Sequence, residues 1–167
     1  GNYKWQNFEQ FLSIYEIVTN IFLDEKNFEA LIRHVLDKQV KENVLYSEIF
    51  LGPHLWSDTP SNRWERFLEI ASKAAGEYKN KFGIHTYFII VCIRHLGPEK
   101  ALEASKFASK AKSYNVVGFG MAGDEKKFNT LDFMESFNFA MNSGLGITTH
   151  AGEICGAKSV DEAIKLG

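Results

Sequence analysis

The sequence predicts an α/β fold made of repeated strand–helix units around a parallel sheet. Three observations lead there. Strand-like runs begin near positions 44, 84, 115 and 145, the spacing of about 30–40 residues that βα units require. The runs are continuously apolar, as parallel strands are when helices cover the sheet. Between them the apolar residues recur at helical spacing, three and four apart.

The elements follow in order. Phe8, Phe11, Leu12, Tyr15 and Ile17-Val18 mark a first helix from about Asn7 to Phe22. Phe28, Leu31, Ile32, Val35, Leu36 and Gln39 mark a second, leading up to Asn43. The period then changes, and Val44 to Phe50 reads as a strand stopped by Gly52-Pro53. Thr59-Pro60 has the form of an N-cap followed by proline at the first helical position. The long helix it opens carries Trp64, Phe67, Leu68, Ala71, Ala75, Tyr78 and Phe82 on one face. Ile84 to Ile93 is the second strand, and Gly97-Pro98 starts a helix to about Ser113. Asn115 to Gly120 is the third strand. Thr130 to Met141 is a helix with Phe133, Met134, Phe137, Ala140 and Met141 facing inward. Leu145 to Thr149 is the fourth strand, and Ser159-x-x-Glu162 reads as a capping box opening a last helix.

Four such units build either an open doubly wound sheet or half of an eight-fold barrel. No Gly-x-Gly-x-x-Gly follows the first strand, so a dinucleotide fold gains no support. A complete (β/α)8 barrel takes about 250 residues, and 167 residues supply part of one. No low-complexity linker divides the chain, so 1–167 reads as one domain.

Composition narrows the function. A formal net charge of −2 offers no basic field for nucleic acid. The longest apolar run, Tyr87 to Ile93, is far too short to span a bilayer. Cys92 and Cys155 lie in apolar surroundings with no spaced set for disulfides or a zinc finger. A reducing cytoplasm is the simplest compartment. The chain lacks an initiating Met and opens directly into an amphipathic pattern, which suggests an internal piece of a longer protein.

In parallel βα folds the chemistry gathers at the C-terminal ends of the strands. Here those ends are Pro53-His54, Arg94-His95, Gly123-Asp124-Glu125 and His150-Ala151-Gly152-Glu153. Each has a plain structural reading. His54 suits a packed or surface loop, and Arg94-His95 suits bonds between neighbouring loops. Asp124-Glu125 before Lys126-Lys127 suits a solvated charge run, although Gly123 indicates a close backbone approach. Cys155 suits a small buried residue. His150 with Glu153 fits chemistry better. A neutral imidazole at a strand end is a ligand for a divalent metal. Ala151 and Gly152 leave room for substrate, and Glu153 is then a proton donor and acceptor beside an activated water.

Thr149-His-Ala-Gly-Glu153 resembles the signature of the adenosine deaminase family of metal-dependent amidohydrolases. Gly120-Met-Ala-Gly-Asp-Glu125 resembles the family's Ala-Gly-Asp-Glu loop. Cys92-Ile-Arg-His95 resembles its Arg-His strand end, and Tyr46-Ser-Glu48 with Pro53-His54 resembles the strand before. The resemblance implies a (β/α)8 barrel of TIM type, of which this chain is about strands two to five. It implies hydrolysis of the 6-amino group of adenosine and 2′-deoxyadenosine, in purine salvage, with one zinc ion. By resemblance His150 is a zinc ligand, Glu153 protonates purine N1, and the Gly123 N–H bonds purine N3. Phe11, Leu12 and Tyr15 match the helix that forms an apolar gate over the site.

The departures are specific. The family's His-x-His pair has no counterpart before Asn7, and its Gly-His-Gly strand and paired aspartates belong after Gly167. The resemblance therefore implies a partial barrel, inactive alone, that requires the remainder of its own barrel. Gly120 stands where many members carry an acidic residue. Two other readings stay open: an adenine or adenosine-phosphate deaminase of the same superfamily, and a non-catalytic relative serving as an interaction surface.

Overall fold

A computed structural model describes residues 4–57 and 61–167 of the chain. The expected Thr59-Pro60 helix start lies outside those residues. Strands β1 (Tyr46–Leu51), β2 (His85–Ile93), β3 (Val116–Ala122) and β4 (Gly146–Thr149) form one sheet in the order β1-β2-β3-β4. Every neighbouring pair is parallel. Helices α1 (Phe8–Thr19) and α2 (Glu25–Lys41) precede the sheet. Helices α3 (Asn62–Phe82), α4 (Pro98–Lys110) and α5 (Met134–Asn142) connect successive strands, and α6 (Ala157–Lys165) follows β4.

The pleat sends alternate residues to opposite faces. Leu51 of β1, Phe88, Ile90 and Cys92 of β2, and Phe119 and Met121 of β3 share one face and join the hydrophobic core, with Ile49 and Ile147 packed against it. Helices supply the rest: Trp64, Phe67, Leu68 and Ala71 from α3, small alanines from α4, and Phe137 and Ala140 from α5. Ala101, Ala104 and Ala108 on one side of α4 are fully buried, which lets that helix approach the sheet closely.

The other face holds Tyr46, Glu48 and Phe50, then Ile89, Val91 and Ile93, then Gly118, Gly120 and Ala122. Only part of it is covered. β2 is buried along nearly its whole length, as expected of a central parallel strand, whereas β1 and β4 alternate between half-buried and exposed residues. The expectation of a sheet covered on both faces holds for the middle of this sheet and not for its two edges. β1 begins at Tyr46, two residues later than expected, and Leu45 before it is 76% exposed. Gly120 has a steric reason: a Cβ there would lie 3.1 Å from the Thr148 carbonyl oxygen and 3.2 Å from its methyl.

Several helix boundaries differ from expectation. Asp24 caps α2 by accepting from the Lys26 and Asn27 N–H groups, so that helix starts before Phe28. The α4 helix stops at Lys110, and a 3-10 turn, Lys112–Tyr114, leads into Asn115 at φ 65. Phe82, expected on the inner face of α3, is the last residue of that helix and is 43% exposed. The Ser159/Glu162 capping box does not form. Helix α6 starts at Ala157, three residues earlier than that box would place it, the Ser159 hydroxyl donates to Glu125, and Glu162 accepts from the Thr130 N–H. A reciprocal box does form at Asn129 and Asp132, opening the 3-10 turn Thr130–Phe133 ahead of α5.

Candidate active site

A cavity of about 340 Å³ opens at the C-terminal ends of the strands. It is bordered by His150 and Glu153 from the loop after β4, and by Gly123 after β3. Phe11, Leu12 and Tyr15 of α1 lie across it, joined by Phe8 and Glu16. Phe50, Val91 and Ile93 form its apolar strand-end wall. All six residues singled out as site residues in the sequence therefore border one space. None of α1 is fully buried, so this helix covers the cavity without being part of the core.

His150 is held by its surroundings. Its N–H donates to the Met121 carbonyl at 2.9 Å, extending the β3–β4 ladder by one residue. Its Nδ1 lies 3.1 Å from the same oxygen. A carbonyl can only accept, so Nδ1 carries a proton, and in the neutral ring the lone pair is on Nε2. This is the arrangement that orients and fixes the tautomer of a metal-ligating histidine. The Phe50 ring packs 5.8 Å from the imidazole, centroid to centroid. His150 fits a metal as one ligand. No group of three or more His, Cys, Asp or Glu side chains able to hold an ion occurs among the described residues.

Gly123 has φ +108, and a Cβ there would lie 3.0 Å from His95 Nδ1 and 3.3 Å from the Arg94 nitrogen. Only glycine brings the main chain this close. His95 borders the cavity and points Nε2 at Glu16 of α1, 3.5 Å away, which ties the covering helix to the end of β2.

His54 and Arg94 do not border the cavity. His54 is buried against the Trp64 ring and lies 3.3 Å from Glu103, the packing role first assigned to it. Arg94 is 1% exposed and joins loops: it donates to the His150 carbonyl at 3.1 Å, to Thr130 Oγ1 at 3.1 Å and to the Phe128 carbonyl. Burial lowers its pKa from the ordinary value, opposed by the charge of Glu125.

Two readings of the sequence are corrected here. Cys155 is exposed, because the loop after β4 runs along the surface, whereas Cys92 is buried and its thiol is pushed up to about 12 by burial. Asp124-Glu125 is no solvated charge run: the two residues are 3% and 5% exposed. Glu125 Oε1 accepts from the Gly152 N–H and the Ser159 hydroxyl, both at 2.7 Å. Its Oε2 accepts from Ile154 at 2.7 Å and from Cys155 at 3.1 Å. Burial pushes this carboxyl up, but the Ile154 N–H, the Ser159 hydroxyl and the other two N–H groups outweigh it and hold it down at about 2. Sequence reasoning missed Glu125 because Lys126 and Lys127 follow it and suggest solvent. Gly123 ahead of it was the available signal.

Four consecutive parallel βα units, with a cavity at the C-terminal ends of their strands, are the architecture of a TIM-type barrel seen in part. The sequence profile described as adenosine deaminase matches residues 2–166, and the chain belongs to that family. An adenine deaminase of Agrobacterium fabrum is 32% identical over 166 residues, covering 99% of this chain and 51% of the relative. The chain thus spans about half the length of the curated relatives it matches. The crystal structure of an adenine deaminase from Arthrobacter aurescens superposes with a TM-score of 0.85 at 22% identity, over 97% of this chain and 49% of that one. An amidohydrolase from Burkholderia ambifaria, solved with bound zinc, superposes with a TM-score of 0.68 at 22% identity, over 85% of this chain and 39% of that one. The four-stranded parallel sheet matches part of the barrel in these structures. No helix among the described residues is long and apolar enough to cross a membrane.

Proposed function

We propose that the protein carrying this chain removes the 6-amino group of a purine by hydrolysis, releasing ammonia, with one zinc ion as cofactor. The observation that carries this reading is the meeting of His150, Glu153 and Gly123 at one apolar-walled cavity beneath α1. His150 would hold the zinc through Nε2, together with ligands from outside the residues described here. Bound zinc supplies Lewis-acid activation of the attacking water. Glu153, exposed at the cavity rim, protonates ring N1 as the C6 centre becomes tetrahedral. The Gly123 N–H donates to N3 and sets the orientation of the purine. Phe11, Leu12 and Tyr15 cover the base and exclude bulk water, which strengthens these polar contacts.

Two substrates are in view. The Ala122-Gly123-Asp124-Glu125 loop resembles the nucleoside branch and favours adenosine, the first reading. Relatives named adenine deaminase, at 32% identity, favour the free base. A reducing cytoplasm suits the two free thiols, Cys92 and Cys155.

The test uses the whole protein and follows the ultraviolet change of adenine and of adenosine, with zinc measured on the same sample. Wild type should convert one purine in preference to the other. Glu153→Gln keeps the shape and loses the ionisable proton, so zinc stays and turnover falls about 10²–10⁴-fold, the scale of general acid–base catalysis. Near-normal turnover in that variant would show that the acid is elsewhere.

A further inference from the structure

The loop from His150 to Gly156 has no regular structure, and it carries Glu153. Among the described residues, no hydrogen bond holds the Glu153 side chain itself. Its direction is therefore set by its backbone, and that backbone needs partners. A loop outside the sheet makes no ladder bonds, so its main-chain N–H groups bond to side chains or to water instead. Here the acceptor is a single side chain from the end of the neighbouring strand.

We propose that Glu125 is a positioning residue for Glu153: its two carboxylate oxygens grip the N–H groups of Gly152, Ile154 and Cys155, on both sides of Glu153, and so aim the Glu153 carboxyl at the cavity. The distances are 2.7, 2.7 and 3.1 Å, and the Ser159 hydroxyl at 2.7 Å fastens the same carboxylate to α6. Arg94 holds the other end of the segment through the His150 carbonyl, at 3.1 Å. The clamp also explains Gly152. With φ +77, and a Cβ that would lie 2.6 Å from Val160, this position admits no side chain if its N–H is to reach Glu125. Four donors converge on one ionised group, and such charge-assisted bonds are the stronger kind. Glu125 does not border the cavity that holds Glu153, so it acts through the loop and touches no substrate.

This role rests on Glu153 being the proton-transfer group, and the experiment separates the two. Glu125→Gln preserves size but leaves one acceptor oxygen where two served four donors. In the whole protein it should lower kcat about 10- to 100-fold, the scale of a misplaced catalytic group, while KM changes less than about threefold. In a Glu153→Gln background the same change should cost less than about twofold, because groups acting as one unit are not additive. Amide exchange at Ile154 and Cys155 should rise in Glu125→Gln. If that variant does not fold, Ser159→Ala removes one of the four bonds. It should lower kcat about two- to fivefold, again only when Glu153 is present. Equal losses in both backgrounds, or unchanged kcat with unchanged amide exchange, overturn the positioning role alone. A wild-type protein that deaminates none of adenine, adenosine and adenosine phosphates overturns the deaminase reading, and the positioning role falls with it.

Discussion

Glu125 shows how far one residue's meaning depends on its neighbours in space. Followed by two lysines, it has the sequence context of a surface carboxylate, yet it is 5% exposed and satisfies four donors. Its carboxyl is held at about 2, against an ordinary 4.5. A carboxyl whose folded pKa is depressed contributes stability above its unfolded pKa, and that contribution is lost as pH falls through the folded value. A displacement from 4.5 to about 2 corresponds to about 3 kcal/mol at neutral pH. Glu125→Gln should therefore be less stable than wild type by that order at pH 7. The gap should narrow between about pH 4.5 and 2, where the wild-type carboxyl takes up its proton. Urea denaturation of both proteins at pH 7, 5 and 3 measures this. A gap that stays constant down to pH 3 contradicts the linkage.

At the scale of elements, the strand–helix alternation follows from patterning, and the ends of elements follow from capping. The Ser159/Glu162 pattern reads as a capping box, but each side chain is already engaged by another loop, Ser159 by Glu125 and Glu162 by Thr130. Tertiary demand for those groups overrides the local motif. The docking of β3 on α5 is a more direct consequence of sequence. Phe119 and Phe137 are both buried and meet edge to face, 5.1 Å between centroids. Phe119→Ala removes that ring from a closed core and should cost about 3–5 kcal/mol, the range for large aromatic deletions. The shift in the denaturation midpoint reports it, and a loss below about 1 kcal/mol would mean the core closes over the gap.

For the whole molecule, the sheet has two edges, β1 and β4, each paired on one side only. Unpaired parallel edges are association hazards. A catalytic zinc takes about three protein ligands, whereas the described residues bring no three candidate ligands together. The 167-residue chain produced alone should therefore hold no stoichiometric zinc, deaminate neither purine, and self-associate or bind a separately supplied remainder of its barrel. Metal analysis, the ultraviolet assay and sedimentation on one sample test all three. Stoichiometric zinc with steady turnover would point to other ligands, with His95, which borders the cavity, the first to substitute.

The order of the elements, the parallel sheet and most of the face that α2, α3 and α5 bury follow from sequence alone, because period and turn chemistry are local properties. The sequence also brought out His150, Glu153 and Gly123, whose spacing at strand ends is visible in one dimension. It did not determine where Glu125, Arg94 and Cys155 lie. Glu125 meets Gly152 and Ser159 across 27 and 34 residues of chain, and Arg94 meets His150 across 56. Those contacts exist only once β2, β3 and β4 lie side by side. Tertiary structure decides them because a buried charge must find its partners wherever the fold delivers them, and no local pattern records which partners those are.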